Sequence, residues 1–183
     1  MLLALKQKAW PYVERWRDLR HEERRAVLPY VTGRCLEIGC GHRRTSRAVI
    51  AVDLTPGGAT GTVGNVAGKR SRADVGADGA ALPFRSAGFD SIVARHNLEH
   101  YRDTAATLTE WRRVLAAGGT VAVVVPDEER FDGSTLDLDP THHQAFTERS
   151  LSDALTAAGF VVRATRPVVV GWSFLAVAQR PSA

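Results

Sequence analysis

The chain has 183 residues, 44% of them hydrophobic and 24% charged, which supports the core of one domain and excludes a disordered chain. Its 24 lysines and arginines against 20 acidic residues leave a net charge of +4, too small to require a polyanionic partner. Two cysteines make no disulfide framework, no apolar run is long enough for a membrane span, and the start lacks signal-peptide features. We therefore expect a cytoplasmic protein.

Residues 1–28 are predicted to form a basic helical extension. Seven lysines and arginines fall in this stretch, apolar residues recur at helical spacing, and Val27-Leu28-Pro29 marks the end of the helix. The interspersed acidic residues, which include Glu22 and Glu23, are expected to lie on a solvated face. We expect this extension to act as a lid or a docking helix, and residues 29–183 to form one domain.

From Arg34 onward, short apolar runs alternate with helical segments, a pattern typical of a doubly wound α/β sheet. The predicted strands span residues 35–38, 48–54, 73–75, 91–95, 120–125, 161–165 and 174–179. One helix is predicted from Thr104 to a cap at Gly118-Gly119, and a second over residues 147–158 with Gly159 after it. Residues 56–70 contain five glycines and are predicted to form a loop.

A glycine-rich turn, Gly39-Cys40-Gly41, follows the first predicted strand. Such a turn lets a ligand approach the backbone closely at the carboxyl edge of a sheet. Asp53 ends the next strand twelve residues later, where its carboxylate can accept hydrogen bonds from ribose hydroxyls. These residues alone are also compatible with a plain β-α turn or with a nicotinamide cofactor.

Six ordered segments together resemble the class I S-adenosylmethionine-dependent methyltransferases, in particular type 11-like members with a shortened first helix. They are Glu37-Ile-Gly-Cys-Gly41, Val52-Asp-Leu54, Asp78-Gly-Ala-Ala-Leu-Pro-Phe84, His96-Asn-Leu-Glu-His100, Trp111-Arg-Arg-Val-Leu-Ala-Ala-Gly-Gly119, and Phe146-Thr147 with Ala158-Gly-Phe160. The resemblance implies a Rossmann-like α/β sandwich whose seven-stranded sheet is mostly parallel, with an antiparallel last strand and helices on both faces. It also implies S-adenosylmethionine as the cofactor and S-adenosylhomocysteine as its product.

The resemblance further implies a role for each residue of the cofactor site. Glu37 would complement the methionine amino group, and Asp53 would bind the ribose. Asp78 and the Gly79 amide would bind the adenine, and Arg95 and His96 would line the pocket around the transferable methyl group. The implied cofactor-binding residues are Glu37, Gly39, Cys40, Gly41, His42, Asp53, Leu54, Asp78, Gly79, Arg95 and His96.

The chain departs from the family pattern after Gly41, where His42-Arg43-Arg44-Thr45 stands in place of the usual third glycine. The short spacing from Gly41 to Asp53 also leaves little room for a full first helix. We expect the methionine carboxylate to contact Arg43, Arg44 or the amides of the short turn instead. A nicotinamide-dependent oxidoreductase would need the complete glycine turn and a full helix, so this departure counts against that class.

Polar residues near the predicted strand ends are candidates for acceptor binding and proton transfer. His96 and His143 are the catalytic candidates, and we expect only one of His142 and His143 to face the site. The candidates for substrate contact are His100, Tyr101, Asp127 and His142. His100, His142 and Asp127 offer metal-ligand atoms, but nothing in their spacing requires a metal, and none is expected.

These features predict transfer of a methyl group to an oxygen or nitrogen atom of a small-molecule acceptor. One alternative is a non-catalytic partner module with the methyltransferase fold, which the shortened glycine motif favours. Another is an RNA-directed methyltransferase that uses the basic N-terminal helix. Retained cellular function after Asp53→Ala would favour the first alternative, and steep salt dependence of RNA binding the second.

Overall fold

The computed structural model of the chain describes residues 22–182, the side chain of Asn65 excepted. Helices α1, α2 and α3 span Glu22–Val27, Thr104–Val114 and Glu148–Ala157. The strands are β1 (Cys35–Ile38), β2 (Val49–Asp53), β3 (Val75–Gly76), β4 (Phe89–Arg95), β5 (Leu115–Pro126), β6 (Val161–Val169) and β7 (Ser173–Gln179). Most of the N-terminal extension lies outside the described residues, so its role as a lid or docking helix stays a prediction.

The strands form a seven-stranded sheet in the order β3-β2-β1-β4-β5-β7-β6. The strands from β3 to β5 are parallel, and β7 is antiparallel to both β5 and β6. This confirms the mostly parallel sheet with an antiparallel last strand. The chain proceeds outward from β1 through β2 to β3 and then returns to place β4 on the other side of β1. Ligands of open α/β sheets bind beyond the carboxyl ends of the strands at such a reversal.

Apolar side chains cover both faces of the sheet. The helices α2 and α3 contribute buried residues to the core on one face, and Ala26 and Val27 of α1 lie in the core on the other. Residues 121–125 are fully buried, which is the environment of a strand covered on both sides. The helix α3 begins with a capping box at Thr147 and is followed by Gly159 at a φ of +83°, as predicted.

The predicted helix cap at Gly118-Gly119 is wrong. The helix α2 ends at Val114 and β5 begins at the next residue, so both glycines lie within the strand. Gly118 donates its N–H to the Arg180 carbonyl at 2.9 Å. A Cβ on Gly119 would lie 2.9 Å from the Asp90 carbonyl oxygen. Close backbone approach, and not the end of a helix, is therefore the reason for glycine at position 119.

The turn after β1 contains no helix, as the short spacing predicted. Residues 39–48 connect β1 to β2 by turns alone, and a 3-10 turn at Gly64–Val66 interrupts the glycine-rich loop. The loop and the short turn both lie at the carboxyl edge of the sheet, where they shape the site described below. Within residues 22–182, no helix is long and apolar enough to cross a membrane.

Candidate active site

A cavity of about 710 Å³ opens at the carboxyl edge of the sheet, where β1, β2 and β4 end. Its volume is within the range of sites that hold small molecules and cofactors. The predicted residues that border it are Gly39, Cys40, Gly41, His42, Asp53, Leu54, Asp78, Gly79, Arg95, His96, His100, Tyr101, His142 and His143. Glu37 and Asp127 are not part of its wall. Of the two arginines expected near the methionine carboxylate, Arg43 borders the cavity, whereas Arg44 forms an ion pair with Asp74 at 2.8 Å.

The glycine turn and Asp53 are joined by a direct hydrogen bond. The Gly41 N–H donates to Oδ2 of Asp53 at 2.7 Å, and the Thr55 N–H donates to Oδ1 at 2.9 Å. A carboxylate has about four acceptor positions, so Asp53 can still accept hydrogen bonds from a ligand. Gly39 adopts a φ of +72°, and its N–H donates to the Val52 carbonyl at 2.9 Å. These bonds hold the turn and the carboxylate as one unit at the cavity wall.

Asp78 and Gly79 are positioned by α2 and by the segment after β4. The Asp78 carboxylate accepts the Ala80 N–H at 2.9 Å, and the Gly79 carbonyl accepts the Trp111 indole N–H at 3.0 Å. A Cβ on Gly79 would overlap the Tyr101 hydroxyl. Burial and the charge of Asp78 raise the pKa of Tyr101, which keeps this hydroxyl neutral. The absence of a side chain at Gly79 thus lets the ring of Tyr101 pack under this part of the cavity.

Glu37 supports the short turn from behind the cavity wall. Its buried carboxylate accepts the Thr45 N–H at 2.8 Å and the Thr45 hydroxyl at 2.7 Å, and it lies 3.5 Å from the Arg95 guanidinium. Arg95 in turn donates to the Thr45 hydroxyl at 2.9 Å and to the Arg43 carbonyl. These bonds hold residues 43–45 where related chains would have a first helix. Glu37 therefore positions the short turn in the structure, and its contact with the methionine amine stays a prediction.

His96 borders the cavity between two carboxylates. Its Nε2 lies 2.9 Å from Glu23 Oε1, and its Nδ1 lies 3.4 Å from Glu99 Oε1. Burial lowers the pKa of His96, but the charges of Glu23 and Glu99 outweigh it and raise the value to about 10. The ring is consequently an imidazolium at neutral pH. This argues against the predicted role of His96 as a general base, because the ring has no lone pair to accept a proton.

The contact of Glu23 with His96 was not expected from the sequence, which placed Glu23 on a solvated face. The carboxylate of Glu23 accepts a hydrogen bond from Ser173 Oγ at 2.6 Å in addition to its pairing with His96. Burial raises the pKa of Glu23, but His96 and these hydrogen bonds lower it to about 2. The partners lie 73 and 150 residues away along the chain, so no local pattern could have indicated them.

Of the remaining residues predicted to contact substrate or transfer a proton, the histidines border the cavity and Asp127 does not. His142 and His143 both border the cavity, contrary to the expectation that only one would, with His142 buried and His143 exposed. His100 packs edge-on against His142 at 4.8 Å between ring centroids. Asp127 lies outside the cavity wall and pairs with Arg130 at 2.7 Å, and its contact with substrate stays a prediction. Sequence reasoning also missed Trp172, which borders the cavity and lies against the His96 ring at 5.8 Å.

Comparison with known proteins gives the family. A family model described as a methyltransferase domain matches residues 12–165. The chain belongs to this methyltransferase family. It is 31% identical over 166 residues to a "Probable S-adenosylmethionine-dependent methyltransferase" of Mycolicibacterium smegmatis, a match that covers 83% of this chain and 62% of that protein. The chain thus spans less than two thirds of the length of this curated relative.

Solved structures share the fold. A SAM-dependent methyltransferase of Thermotoga maritima has a TM-score of 0.68 at 18% identity, over 97% of this chain and 99% of that one. An S-adenosylmethionine-dependent methyltransferase of Mesorhizobium loti has a TM-score of 0.62 at 18% identity, over 86% of this chain and 96% of that one. The cofactor of the family is S-adenosylmethionine. A Rossmann-like methyltransferase fold is therefore shown.

The residues of the cavity wall have the chemistry to bind this cofactor. The backbone of Gly39, Gly41 and Gly79 forms part of its wall, and the Cβ positions of Gly39 and Gly79 are filled by Asn97 and Tyr101. The carboxylates of Asp53 and Asp78 border it on neighbouring loops, and both have acceptor capacity left. Ribose hydroxyls and an adenine amino group are donors that these acids can bind.

Proposed function

We propose that the protein is a methyltransferase that transfers the methyl group of S-adenosylmethionine to an oxygen or nitrogen atom of a small molecule. The observation that carries this proposal is the hydrogen bond between the Gly41 N–H and Asp53 Oδ2 at the cavity wall. It joins the backbone that would carry the methionine part of the cofactor to the acid that would bind the ribose. Both parts of one ligand are thereby served by one preorganised unit.

The residues assigned to the cofactor follow the cavity from one end to the other. The backbone of 39–41 would hold the methionine part, with Arg43 available for its carboxylate. Asp53 would accept the ribose hydroxyls, and Asp78 would accept the adenine amino group. Leu54 borders the cavity and is 75% exposed, so an adenine ring could cover its apolar surface.

The chain's contribution to catalysis would be alignment of the acceptor and exclusion of water. The bound cofactor supplies a methyl group on a positively charged sulfur, which is already a good leaving group. Orientation of two reactants can account for about 7–11 kcal/mol of the barrier. His143 stays our candidate for the proton acceptor, because its exposed ring borders the cavity. His96 would act as a fixed positive charge in the wall.

The size of the cavity supports a small acceptor. About 710 Å³ accommodates a cofactor together with a compact second molecule. The RNA-directed alternative depends on the basic residues of 1–28, most of which lie outside the described residues. The non-catalytic alternative is favoured by one observation, the enclosure of Glu37 behind the wall.

Calorimetric titration with S-adenosylmethionine and S-adenosylhomocysteine, with NADH as a control ligand, tests the proposal. We expect micromolar binding of the first two and none of NADH. Asp53→Asn should weaken S-adenosylhomocysteine binding roughly 10- to 100-fold, the usual range for hydrogen bonds to a charged group. Asp90→Asn is the matched control, because Asp90 also accepts a backbone N–H, from Arg34 at 2.7 Å, but does not border the cavity. Absence of binding by the unaltered chain would leave the non-catalytic module as the better account.

A further inference from the structure

Glu99, His100 and His142 come together at the cavity, beyond the carboxyl end of β4. One ligand atom from each lies within 4.8 Å of the other two. The two histidines border the cavity, and Glu99 lies behind them. From the sequence, Asp127 was the third member of a conceivable metal set, but Asp127 pairs with Arg130. Glu99 takes its place in the structure.

The carboxylate of Glu99 is the observation that points to a cation. Its side chain is 1% exposed, and neither oxygen accepts a hydrogen bond from any residue in the described part of the chain. Ring nitrogens of His96 and His142 lie 3.4 and 4.0 Å from Oε1, too far for ordinary hydrogen bonds. The nearby His96 ring compensates part of the charge of Glu99, but no donor saturates the two carboxylate oxygens, and a directly bound cation would do so.

Hydrogen bonds favour the histidine tautomer that binds metals. The Thr141 hydroxyl donates to Asp139 at 2.6 Å and therefore accepts a hydrogen bond from His100 Nδ1 at 2.9 Å. His142 Nδ1 donates to the Thr135 carbonyl at 2.7 Å. Each ring thus carries its proton on Nδ1 and leaves a lone pair on Nε2. Metal-binding histidines usually donate their other ring N–H to a carbonyl or another polar oxygen, as both rings do here.

We propose that Glu99, His100 and His142 bind one divalent transition-metal ion, with an open coordination position toward the cavity. Two imidazoles and a carboxylate suit Zn²⁺ and its neighbours in the first transition row, whereas Mg²⁺ and Ca²⁺ take oxygen ligands. Ligand atoms around tetrahedral Zn²⁺ lie roughly 3.3 Å apart. The three side chains would therefore move together by about 1 Å, which small rotations of their χ angles allow.

The role of this ion rests on the proposed function, although the binding of the ion does not. A hydroxyl or amine of the acceptor would occupy the open coordination position of the ion, which would make the proton of that group more acidic. The acceptor would lose that proton to His143 and then attack the methyl group with the freed electron pair, which breaks the bond to sulfur and releases S-adenosylhomocysteine. The ion would thus activate the acceptor for attack on the methyl group.

The test uses the full chain, stripped of metal with a chelator and then titrated by calorimetry with Zn²⁺ or Mg²⁺. We expect one Zn²⁺ per chain and no binding of Mg²⁺. Glu99→Gln and His142→Ala should each weaken Zn²⁺ binding by about 100-fold or more, whereas the neighbouring His143→Ala should leave the affinity unchanged. Thr141→Val removes the hydroxyl that orients His100, so it should weaken binding roughly 10-fold.

Co²⁺ provides a second readout, since its visible absorption reports bound ligands. The absorption should develop in the unaltered chain and in His143→Ala but not in His142→Ala. No Zn²⁺ binding by the unaltered chain, or equal affinities in those two variants, would overturn the metal site. Circular dichroism checks that each variant folds. If Glu99→Gln does not fold, His100→Ala is used in its place. Titration of S-adenosylhomocysteine in chelator tests the proposed function separately, so either idea can fail alone.

Discussion

Gly39 is constrained both by its backbone conformation and by the space around it. Its φ of +72° is unfavourable for residues with a side chain, and a Cβ there would lie 2.7 Å from the Cβ of Asn97. We expect Gly39→Ala to lower the free energy of unfolding by roughly 2–4 kcal/mol, of which about 1 comes from the backbone and the rest from the overlap. The displaced turn should also bind S-adenosylhomocysteine more weakly. Urea unfolding and calorimetry measure the two effects.

Gly68 offers a control matched in conformation. Its φ is +74°, and no atom lies within 4 Å of the position that a Cβ would take. Gly68→Ala should therefore cost only the backbone part, about 1 kcal/mol, and leave cofactor affinity unchanged. Equal losses of stability in the two variants would show that the contact with Asn97 is not what requires glycine at position 39.

At the scale of elements, α1 is attached to the sheet by a polar contact as well as by apolar packing. Glu23 reaches His96 at the end of β4 and Ser173 at the start of β7. The helix has only six described residues, of which Ala26 and Val27 are buried, so this contact is a large part of its attachment. Since Glu23 also borders the cavity, the position of α1 determines part of the wall.

The pH dependence of stability reports on this contact. Burial raises the pKa of Glu23, but His96 and its hydrogen bonds lower it from 4.5 to about 2. A lowered carboxyl pKa stabilises the fold fully above pH 4.5, and this contribution is lost as the pH falls through 2. We expect Glu23→Gln to lose roughly 3 kcal/mol at pH 7, and the difference from the unaltered chain to shrink below pH 4.5. Thermal unfolding of both chains between pH 7 and pH 3 measures this difference in stability.

Glu22 serves as the comparison for that experiment, because it lies next to Glu23 in the same helix and is likewise half-buried. Glu22→Gln leaves the pair of Glu23 with His96 in place, so this variant should keep the acid-dependent part of stability that the pair contributes. The ion pair would be contradicted if the loss in Glu23→Gln stayed constant from pH 4.5 to pH 3, because the Glu23 carboxylate, which the variant lacks, titrates in the unfolded chain over this range.

Over the whole molecule, the sequence predicted those features that leave a local pattern. Strands covered on both faces produce unbroken apolar runs, so β1 and the centre of β5 were recognisable, and the glycine turn marked the cavity edge. Contacts between distant segments leave no such pattern. The pairing of Glu23 with His96 was missed for this reason, and Glu37 was expected at the cofactor because the motif places an acid there. In the structure, Glu37 supports Thr45 and Arg95 in the shortened connection to β2, a role that no local pattern indicated.

The parts of the proposed cofactor site all lie at one edge of the sheet. Binding of the cofactor product should therefore protect the backbone amides of that edge alone from hydrogen exchange. We expect S-adenosylhomocysteine to slow amide hydrogen exchange in residues 39–45, 53–55 and 78–81, whose loops carry the acids and the glycine turn. The opposite edge contains the bond from the Arg34 N–H to Asp90, and its exchange should not change. Mass spectrometry of peptic peptides measures this. NADH should give no protection, and Asp53→Asn should need a roughly 10- to 100-fold higher concentration of S-adenosylhomocysteine for the same protection. Equal protection at both edges would indicate general stabilisation, because a ligand in the cavity contacts only the carboxyl ends of the strands.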